Sequence, residues 1–214
     1  MSEKKEKILP GVTFFTKAAD ILILNFLCMI CCIPIITIAD SLASLYYVML
    51  KIERGTEDGV VKPFFRFFGK NFLKSLPYTF LMIVLFIIVM SCYIEFGYQD
   101  STILIGLLLA VVIILFAWWG WVIPLFAQFD NTFGAMLTNG FKLAISNPKE
   151  TLIILGMNMY MVFLFLISPE IFSYVLYVWT FVGLAISARV ICRQIVPIFD
   201  ELMEPAPEGI ENEQ

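Results

Sequence analysis

Stretches without a charged side chain recur along the chain and indicate its structural class. Each is close to or longer than the roughly 18–20 residues that cross a ~30 Å hydrocarbon core as an α-helix. These stretches are residues 21–39, 75–94, 101–129, 151–169 and 171–188. Apolar and polar residues do not alternate within them, as the run from Leu81 to Val89 shows, which excludes the strands of a closed barrel. The pattern therefore predicts an all-α, polytopic transmembrane helical bundle.

The number of spans depends on residues 14–54. One interpretation is a single span, 18–39, followed by an interfacial helix, which gives five spans in all. The other is two short spans, about 14–33 and 35–52, which gives about six. The second of these short spans is the least apolar of the set, so a re-entrant segment is a further alternative for 35–52.

Two local signals favour a break in this region. Pro34 lies inside the apolar run, and proline disrupts a helix that contains it. Thr37 and Asp40 have the spacing of a capping box, in which a Thr begins a helix and an acid follows three residues later. A new helix is therefore expected to begin at Ile38 and to run to about Lys51.

The positions of the basic residues decide between the two interpretations. The fourteen Lys and Arg residues fall within 1–17, 51–74, 142–149 and 189–193. Basic residues near span ends collect on the cytoplasmic side. Six spans, or a re-entrant second segment, place all fourteen on that side, whereas five spans leave four of them outside. We therefore predict about six spans in a bacterial cytoplasmic (inner) membrane, with the N- and C-termini cytoplasmic.

The composition is typical of a membrane protein and distinguishes the acidic C-terminal segment from the rest of the chain. Apolar residues make up 60% of the chain, charged residues 15%, and the mean hydropathy is +0.89, whereas soluble domains are about a quarter charged. The net charge of −4 hides an asymmetry, because residues 200–214 hold six acids and no base. We predict a single transmembrane domain over 1–198 and an acidic disordered tail over 199–214. The basic N-terminal segment is expected to be retained, since no small-x-small cleavage site follows the first apolar run.

Similar phrases in the two halves of the chain suggest a parallel repeat, 62–125 and 130–198. Asn71-Phe72-Leu73-Lys74 precedes one span, and Asn139-Gly140-Phe141-Lys142 precedes another. Each half ends on a related phrase, Ile123-Pro124-Leu125-Phe126 or Val196-Pro197-Ile198-Phe199. The alternative is chance similarity between short apolar segments. Superposition of the two halves would distinguish a repeat from chance similarity.

A basic stripe is the most distinctive feature of the predicted cytoplasmic face. Its four members are spaced four residues apart, which places them along one side of a helix; they are Lys62, Arg66, Lys70 and Lys74. Phenylalanines flank this stripe, so we predict an amphipathic helix at the inner membrane surface that contacts the lipid bilayer and its anionic inner-leaflet lipids. A docking site for a cytoplasmic partner is the alternative. Residues 130–145 form a less basic counterpart.

Three tryptophans lie toward the inner end of the fourth predicted span: Trp118, Trp119 and Trp121. Tryptophan is enriched where a helix leaves the membrane. The expected role of these three side chains is an interfacial aromatic belt.

Polar side chains inside the spans are the candidate functional residues, because burying them in lipid is costly. Asn25 and Asn158 lie in the middle of their predicted helices, where either joins helices together or contacts a ligand. Asp40, with Ser41 and Ser44, forms the most polar cluster at membrane depth. It either caps a helix near the outer surface or contacts a ligand or ion.

Residue types argue against several classes of chemistry. The chain has no histidine, which removes the commonest general base and metal ligand. Cys28, Cys31 and Cys32 form a C-x-x-C-C cluster, but structural zinc needs four suitably spaced ligands. Small apolar packing is therefore the expected role of these cysteines. No phosphate-binding loop or catalytic constellation is present, so we predict no enzyme activity, no cofactor, no metal and no nucleic-acid partner.

Nearly the whole chain resembles the YesL-like family of bacterial integral membrane proteins. The resemblance rests on the phrases Leu24-Asn25-Phe26-Leu27, Ile33-Pro34-Ile35-Ile36-Thr37-Ile38-Ala39 and Ala43-Ser44-Leu45-Tyr46-Tyr47. It continues through Phe64–Phe72 and Asn139–Ala144, and so extends over roughly residues 12–198. Asp40 departs from the pattern, since a small residue is expected there.

The resemblance implies a membrane protein of unknown biochemical activity and supplies no catalytic residues. Members of the family tend to be associated with carbohydrate ABC importers. The predicted function is therefore that of an accessory or assembly component of carbohydrate ABC import, with permease subunits as partners. A small independent transporter or channel is the alternative, supported by the possible repeat and by the polar residues within the spans.

Overall fold

The structure is a computed structural model that describes residues 10–56, 59–99 and 101–203, without the side chains of 10–15 and 166. The described residues form seven α-helices and one short 3₁₀ helix. The α-helices are α1 (Pro10–Cys32), α2 (Ile38–Glu53), α3 (Val61–Tyr98), α4 (Thr102–Gln128), α5 (Phe133–Ser146), α6 (Pro148–Ile167) and α7 (Pro169–Met203). The all-helical class predicted from the sequence is thereby confirmed.

The predicted break between the first two helices is present. α1 ends before Pro34, a 3₁₀ turn covers Ile35–Thr37, and α2 begins at Ile38. The capping box is not formed, because the Thr37 side chain caps no N–H of α2. Its hydroxyl instead donates to carbonyl oxygens of the turn, at Cys31 and Pro34. Thr37 therefore stabilises the turn between α1 and α2 rather than the first turn of α2.

α2 lies at the centre of the bundle and contacts α1, α3, α4 and α7. Most of its side chains are buried, including Ala43, Val48 and Met49. Its polar residues are likewise enclosed by neighbouring helices rather than exposed to lipid. The helix with the least apolar sequence is thus the one that other helices surround.

α3 is one continuous helix of 38 residues, about 57 Å long, with Pro77 inside it. The stretch 62–74, predicted to be an amphipathic helix at the inner membrane surface, is therefore not a separate helix but the first part of the one that continues as a span. Packing explains the continuity: Phe64, Tyr78 and Thr79, on both sides of the predicted boundary, are all buried in the bundle.

The second half of the chain is divided differently. α5 ends at Ser146 and α6 begins at Pro148, a residue suited to a first helical turn, so here the amphipathic helix and the span are separate. Both halves share an amphipathic stretch followed by a helical hairpin. Phe126 and Phe199, which close the related phrases, are both buried. The parallel repeat of 62–125 and 130–198 stays a prediction.

α7 extends to Met203, so the disordered tail does not begin at residue 199 as predicted. Phe199 is fully buried, and Asp200 forms an ion pair with Arg54 of α2 at 2.7 Å. These contacts keep the acidic segment helical at its start. The rest of the predicted tail, 204–214, lies outside the described residues.

Four helices in the described part of the chain are long and apolar enough to cross a membrane: the one formed by Ile35–Glu53, and α3, α4 and α7. The apolar stretches of α3 and α4 are not buried inside the protein, as lipid contact requires. The chain is consistent with a membrane protein, and six crossings stay a prediction.

Trp121 does not belong to the predicted aromatic belt, whereas for the half-buried Trp118 and Trp119 the belt stays a prediction. Trp121 is fully buried, and its indole N–H donates to the Thr151 hydroxyl at 2.9 Å. Trp118 donates to the carbonyl of Leu137 in α5 at 2.9 Å. Two of the three indoles therefore join helices to one another.

Candidate functional site

Asp40 in the first turn of α2 is fully buried, and both of its carboxylate oxygens lack a hydrogen-bond partner in the described structure. The Ser41 hydroxyl beside it is also buried and unpaired. Buried polar groups are normally hydrogen-bonded, because an unpaired one costs about 1–3 kcal/mol or more. Two adjacent unpaired side chains therefore mark this position as a candidate site.

The groups around Asp40 are held in place by backbone contacts. Ser44 donates its hydroxyl to the Asp40 carbonyl at 2.7 Å, so it does not reach the carboxylate. The Ala39 N–H donates to the Thr79 hydroxyl of α3 at 3.3 Å. The Cys28 thiol of α1 lies 3.7 Å from the Ser41 carbonyl. Three helices thus meet around the acid. We call the group formed by Asp40, Ser41 and Thr79 the Asp40 centre.

Contacts with α3 and α7 define the depth of the Asp40 centre. Past Thr79, α3 continues for nineteen residues to Tyr98, about 28 Å of helix. On the other side of the bundle, α1 bonds to Thr180 of α7, a helix that begins eleven residues earlier at Pro169, about 16 Å away. The turn between α1 and α2 therefore lies short of the far ends of the α3–α4 hairpin and of the α6–α7 hairpin. Asp40, in the first turn of α2, is therefore enclosed by the bundle.

Asn25 of α1 forms hydrogen bonds to the backbone of α7. It is fully buried, its amide nitrogen donates to the Thr180 carbonyl at 2.8 Å, and its oxygen accepts from the Ala185 N–H at 3.1 Å. Both polar ends of the amide are satisfied. The structure therefore favours the helix-joining role for Asn25 over a ligand contact.

Asn158 lies elsewhere, on α6 where this helix crosses α4. Its amide nitrogen would be 3.2 Å from a Cβ atom placed on Gly120. Asn25 and Asn158 thus contact different neighbours, and the structure does not assemble the predicted polar residues into one site. Of the polar residues predicted within the spans, Asp40 and Ser41 keep buried atoms without a hydrogen-bond partner; elsewhere in the described structure the same is true of Trp119 Nε1 and Ser187 Oγ.

The basic stripe lies along the first half of α3 with all four of its side chains exposed. Lys74 forms an ion pair with Asp130, in the loop between α4 and α5, at 2.7 Å. The other three stripe residues, Lys62, Arg66 and Lys70, form no ion pair with a described residue. They stay free for lipid or a partner.

A junction of ion pairs at the same end was not predicted from the sequence. Arg54 donates to Asp200 of α7 at 2.9 Å and to Gln128 of α4 at 2.7 Å, and Arg189 donates to Glu53 at 3.0 Å. These pairs tie the end of α2 to α4 and α7. Contacts between side chains of three different helices leave no signal in the spacing along a single helix.

The cysteines do not assemble a metal site. Cys28 and Cys32 lie with their sulfur atoms 4.0 Å apart, and within the described residues no group of three or more Cys, Asp or Glu side chains is placed to hold a metal ion. Packing between α1 and α2 accounts for the burial of Cys28.

Comparison with known protein families finds one match over residues 21–93, to a family described as "Protein of unknown function, DUF624". The matched region is about a third of the chain and contains α2, most of α3, and both Asn25 and Asp40. The chain is thus similar, over this region, to a domain of unknown function. No curated protein and no solved structure matches the chain.

Proposed function

We propose that this chain is an integral protein of the bacterial cytoplasmic (inner) membrane, with its basic end and both termini on the cytoplasmic side. The concentration of charge supports this orientation. The ion pairs of Arg54 and Arg189 lie at the end of α2, and Lys74 of α3 pairs with Asp130 in the loop that follows α4. By the tendency of basic residues to stay in the cytoplasm, that end faces inward, where anionic lipids attract the basic stripe.

Within this orientation, α1 and α2 form a re-entrant hairpin, and α3, α4, α6 and α7 cross the membrane. The contact between Ala39 and Thr79 supports this arrangement, because α3 continues so far beyond it. The turn of the hairpin is also apolar and exposed, with Ile33 and Ile35 uncovered. An apolar turn of this kind suits lipid better than water. Six full crossings are the alternative, with the same orientation of every basic residue.

Labelling of single cysteines is expected to separate these topologies. In a variant without native cysteines, a membrane-impermeant thiol reagent applied to whole cells should label Gln99→Cys and leave Thr56→Cys unlabelled. Ile35→Cys should stay unlabelled although residue 35 is exposed, because it faces lipid. Labelling of Ile35→Cys as fast as Gln99→Cys would show six crossings, and labelling of Thr56→Cys in intact cells would refute the orientation. Permeabilised cells provide the control that Thr56→Cys is reactive.

The proposed role is that of an accessory or assembly component of a carbohydrate ABC importer, as the resemblance to YesL-like proteins implies. The single observation in its favour is the extent of uncovered surface on two sides. The apolar stretches of α3 and α4 are unburied in the described structure, which leaves a lateral face for membrane helices of permease subunits. Lys62, Arg66 and Lys70 leave a basic face toward the cytoplasm.

Purification from the native host tests this role. The tagged full chain, extracted in a mild detergent, should retain carbohydrate permease subunits in a stoichiometric complex. A polytopic membrane protein with the same tag and expression level is the control for nonspecific capture. A preparation that contains the chain alone, after crosslinking in intact cells as well, would refute the accessory role.

A small transporter or channel is the second candidate function, and the Asp40 centre is the observation that favours it. A buried carboxylate without a partner is costly and persists at functional sites in membrane proteins. Such a group binds a cation or a polar solute when the surrounding helices open. Vesicles containing the purified chain should then show solute or ion flux that Asp40→Ala abolishes.

Replacing Asp40 by Asn is expected to raise the free energy of unfolding by about 1–3 kcal/mol, because the variant no longer buries an unpaired carboxylate. Thermal unfolding in detergent, followed by circular dichroism, measures the change. Glu170→Gln, at an exposed acid in the first turn of α7, is the matched control and should leave the midpoint unchanged. A lower midpoint for Asp40→Asn would mean that the carboxylate stabilises the fold.

A further inference from the structure

A cleft of about 220 Å³ opens at the basic end of the bundle. It lies between the first half of α3 and the segment in which α4 ends and the loop to α5 begins. Helix α2 contributes one wall. The lining residues that matter for its chemistry are Tyr47, Arg66, Phe67, Lys70, Asn71 and Asp130.

Two of the lining side chains are cations without a partner. Arg66 and Lys70 are one helical turn apart on α3, are both exposed, and make no ion pair or hydrogen bond with another described residue. Residues at this spacing lie on the same side of a helix. The cleft therefore presents two adjacent positive charges to whatever enters it.

The acid that lines the cleft does not cancel these charges. Asp130 is occupied by Lys74, whose ammonium group lies 2.7 Å from the carboxylate. The hydrogen bond and the charge of Lys74, and then the charge of Lys70, hold the pKa of Asp130 below its usual range. Asp130 is thus ionised at neutral pH and neutralised mainly by a base outside the cleft lining, which leaves Arg66 and Lys70 available.

The remaining walls suit an anion that carries an organic group. Tyr47 and Phe67 stack on one another with ring centroids 4.6 Å apart and form an apolar face. The Tyr47 hydroxyl makes no hydrogen bond to a described residue, and the Asn71 amide donates only to the carbonyl of Phe67. A phosphate ester matches this combination, because guanidinium and ammonium groups bind phosphate oxygens strongly and the rings contact its ester group.

We propose that this cleft is a binding site for a phosphate ester, held by Arg66 and Lys70. The ester is either the headgroup of an anionic lipid or a soluble phosphorylated compound of the cytoplasm. The site deepens the proposed function and rests on it, since the basic end must face the cytoplasm for either source to reach it. Binding measured in detergent does not depend on that orientation.

Titration of the purified full chain in an uncharged detergent tests the site, with dioctanoyl phosphatidylglycerol and glycerol phosphate as separate probes. Arg66→Gln and Lys70→Gln should each weaken binding of the true ligand about tenfold, the effect of losing one charge-assisted hydrogen bond. Lys62→Gln is the matched control: it removes an exposed base of the same stripe that lies outside the cleft, and it should change binding less than twofold. Thermal unfolding should be the same for all three variants.

Each outcome has a defined consequence. Loss of lipid binding confined to the two cleft variants supports a headgroup site, and loss of glycerol phosphate binding supports a soluble ligand. An equal effect of Lys62→Gln would show general attraction to the stripe and would overturn the cleft as a site. If neither probe binds, the proposal of a cleft site is likewise overturned. Thiol labelling tests the orientation independently of this result.

Discussion

Truncation of Trp121 to alanine is expected to lower the free energy of unfolding by about 3–5 kcal/mol, the range for removing a buried tryptophan. The Trp121 ring is fully buried and lies 6.5 Å, between centroids, from Phe199 of α7. Its N–H donates to the Thr151 hydroxyl of α6, which in turn donates to carbonyls at Ala144 and Asn147. The substitution would therefore leave a cavity where α4, α6 and α7 meet, and remove the hydrogen bond that the Thr151 oxygen accepts at the start of α6.

Two variants separate the parts of this effect. Trp121→Phe keeps an aromatic ring and loses the hydrogen bond, so we expect a smaller loss of about 0.5–1.5 kcal/mol plus the cost of the lost volume. Trp118→Phe removes a comparable bond, to Leu137 in α5, from a half-buried position. Equilibrium unfolding in detergent, followed by circular dichroism, measures all three. A loss for Trp121→Ala no greater than that for Trp118→Phe would contradict the central position assigned to Trp121.

Gly120→Ala is expected to destabilise the protein by about 1–3 kcal/mol, because a methyl group there overfills the crossing of α4 and α6. A Cβ atom at this position would overlap Cγ2 of Ile154. Ile154 is fully buried, so its branched side chain has no open space into which to move. Small residues at such crossings let helices approach closely in membrane proteins.

The same two helices supply matched controls. Gly106 of α4 and Gly156 of α6 have open space where a Cβ would be placed. Gly106→Ala and Gly156→Ala should therefore leave stability unchanged or raise it by up to about 1 kcal/mol, since alanine is the better helix former. Thermal unfolding midpoints in one detergent compare the three variants. Equal behaviour at all three positions would refute the close approach at Gly120.

A local signal was sufficient to predict the boundary between the first two helices, which Pro34 separates. In the structure Pro148 begins α6 and Pro169 begins α7, at the first helical position that suits proline. Ser101 caps α4 by accepting a hydrogen bond from the Leu104 N–H. These features depend on neighbours a few residues apart, so they can be read from a single sequence.

The candidate site was only partly predictable. Asp40 was identified because an acid within an apolar run is unusual, and the structure adds that its carboxylate is enclosed and unpaired. Asn25, identified by the same reasoning, is fully satisfied by α7. Sequence alone could not separate the two, because the difference lies in the partners that distant helices provide.

Local spacing and composition misplaced two boundaries. The basic stripe looked like a separate helix, yet burial of Phe64 and Tyr78 in the same bundle keeps α3 continuous. The acidic segment after residue 198 looked disordered, yet the ion pair of Asp200 with Arg54 extends α7 to Met203. In both cases long-range contacts stabilise a conformation that local composition does not favour.

The sequence by itself determined that this protein is a bundle of apolar helices, because lipid requires every backbone group to be paired within a helix and the charge-free stretches are long enough to meet that requirement. The sequence also predicted that the basic residues collect on one side of the bundle, since their positions between the apolar stretches are enough for this inference. Only the tertiary structure decided which helix is central, that Asp40 is buried without a partner, and that Arg66 and Lys70 line a cleft. The physical reason is that the burial and hydrogen bonding of a side chain depend on the helices that it contacts. Those contacts depend on how the whole chain packs.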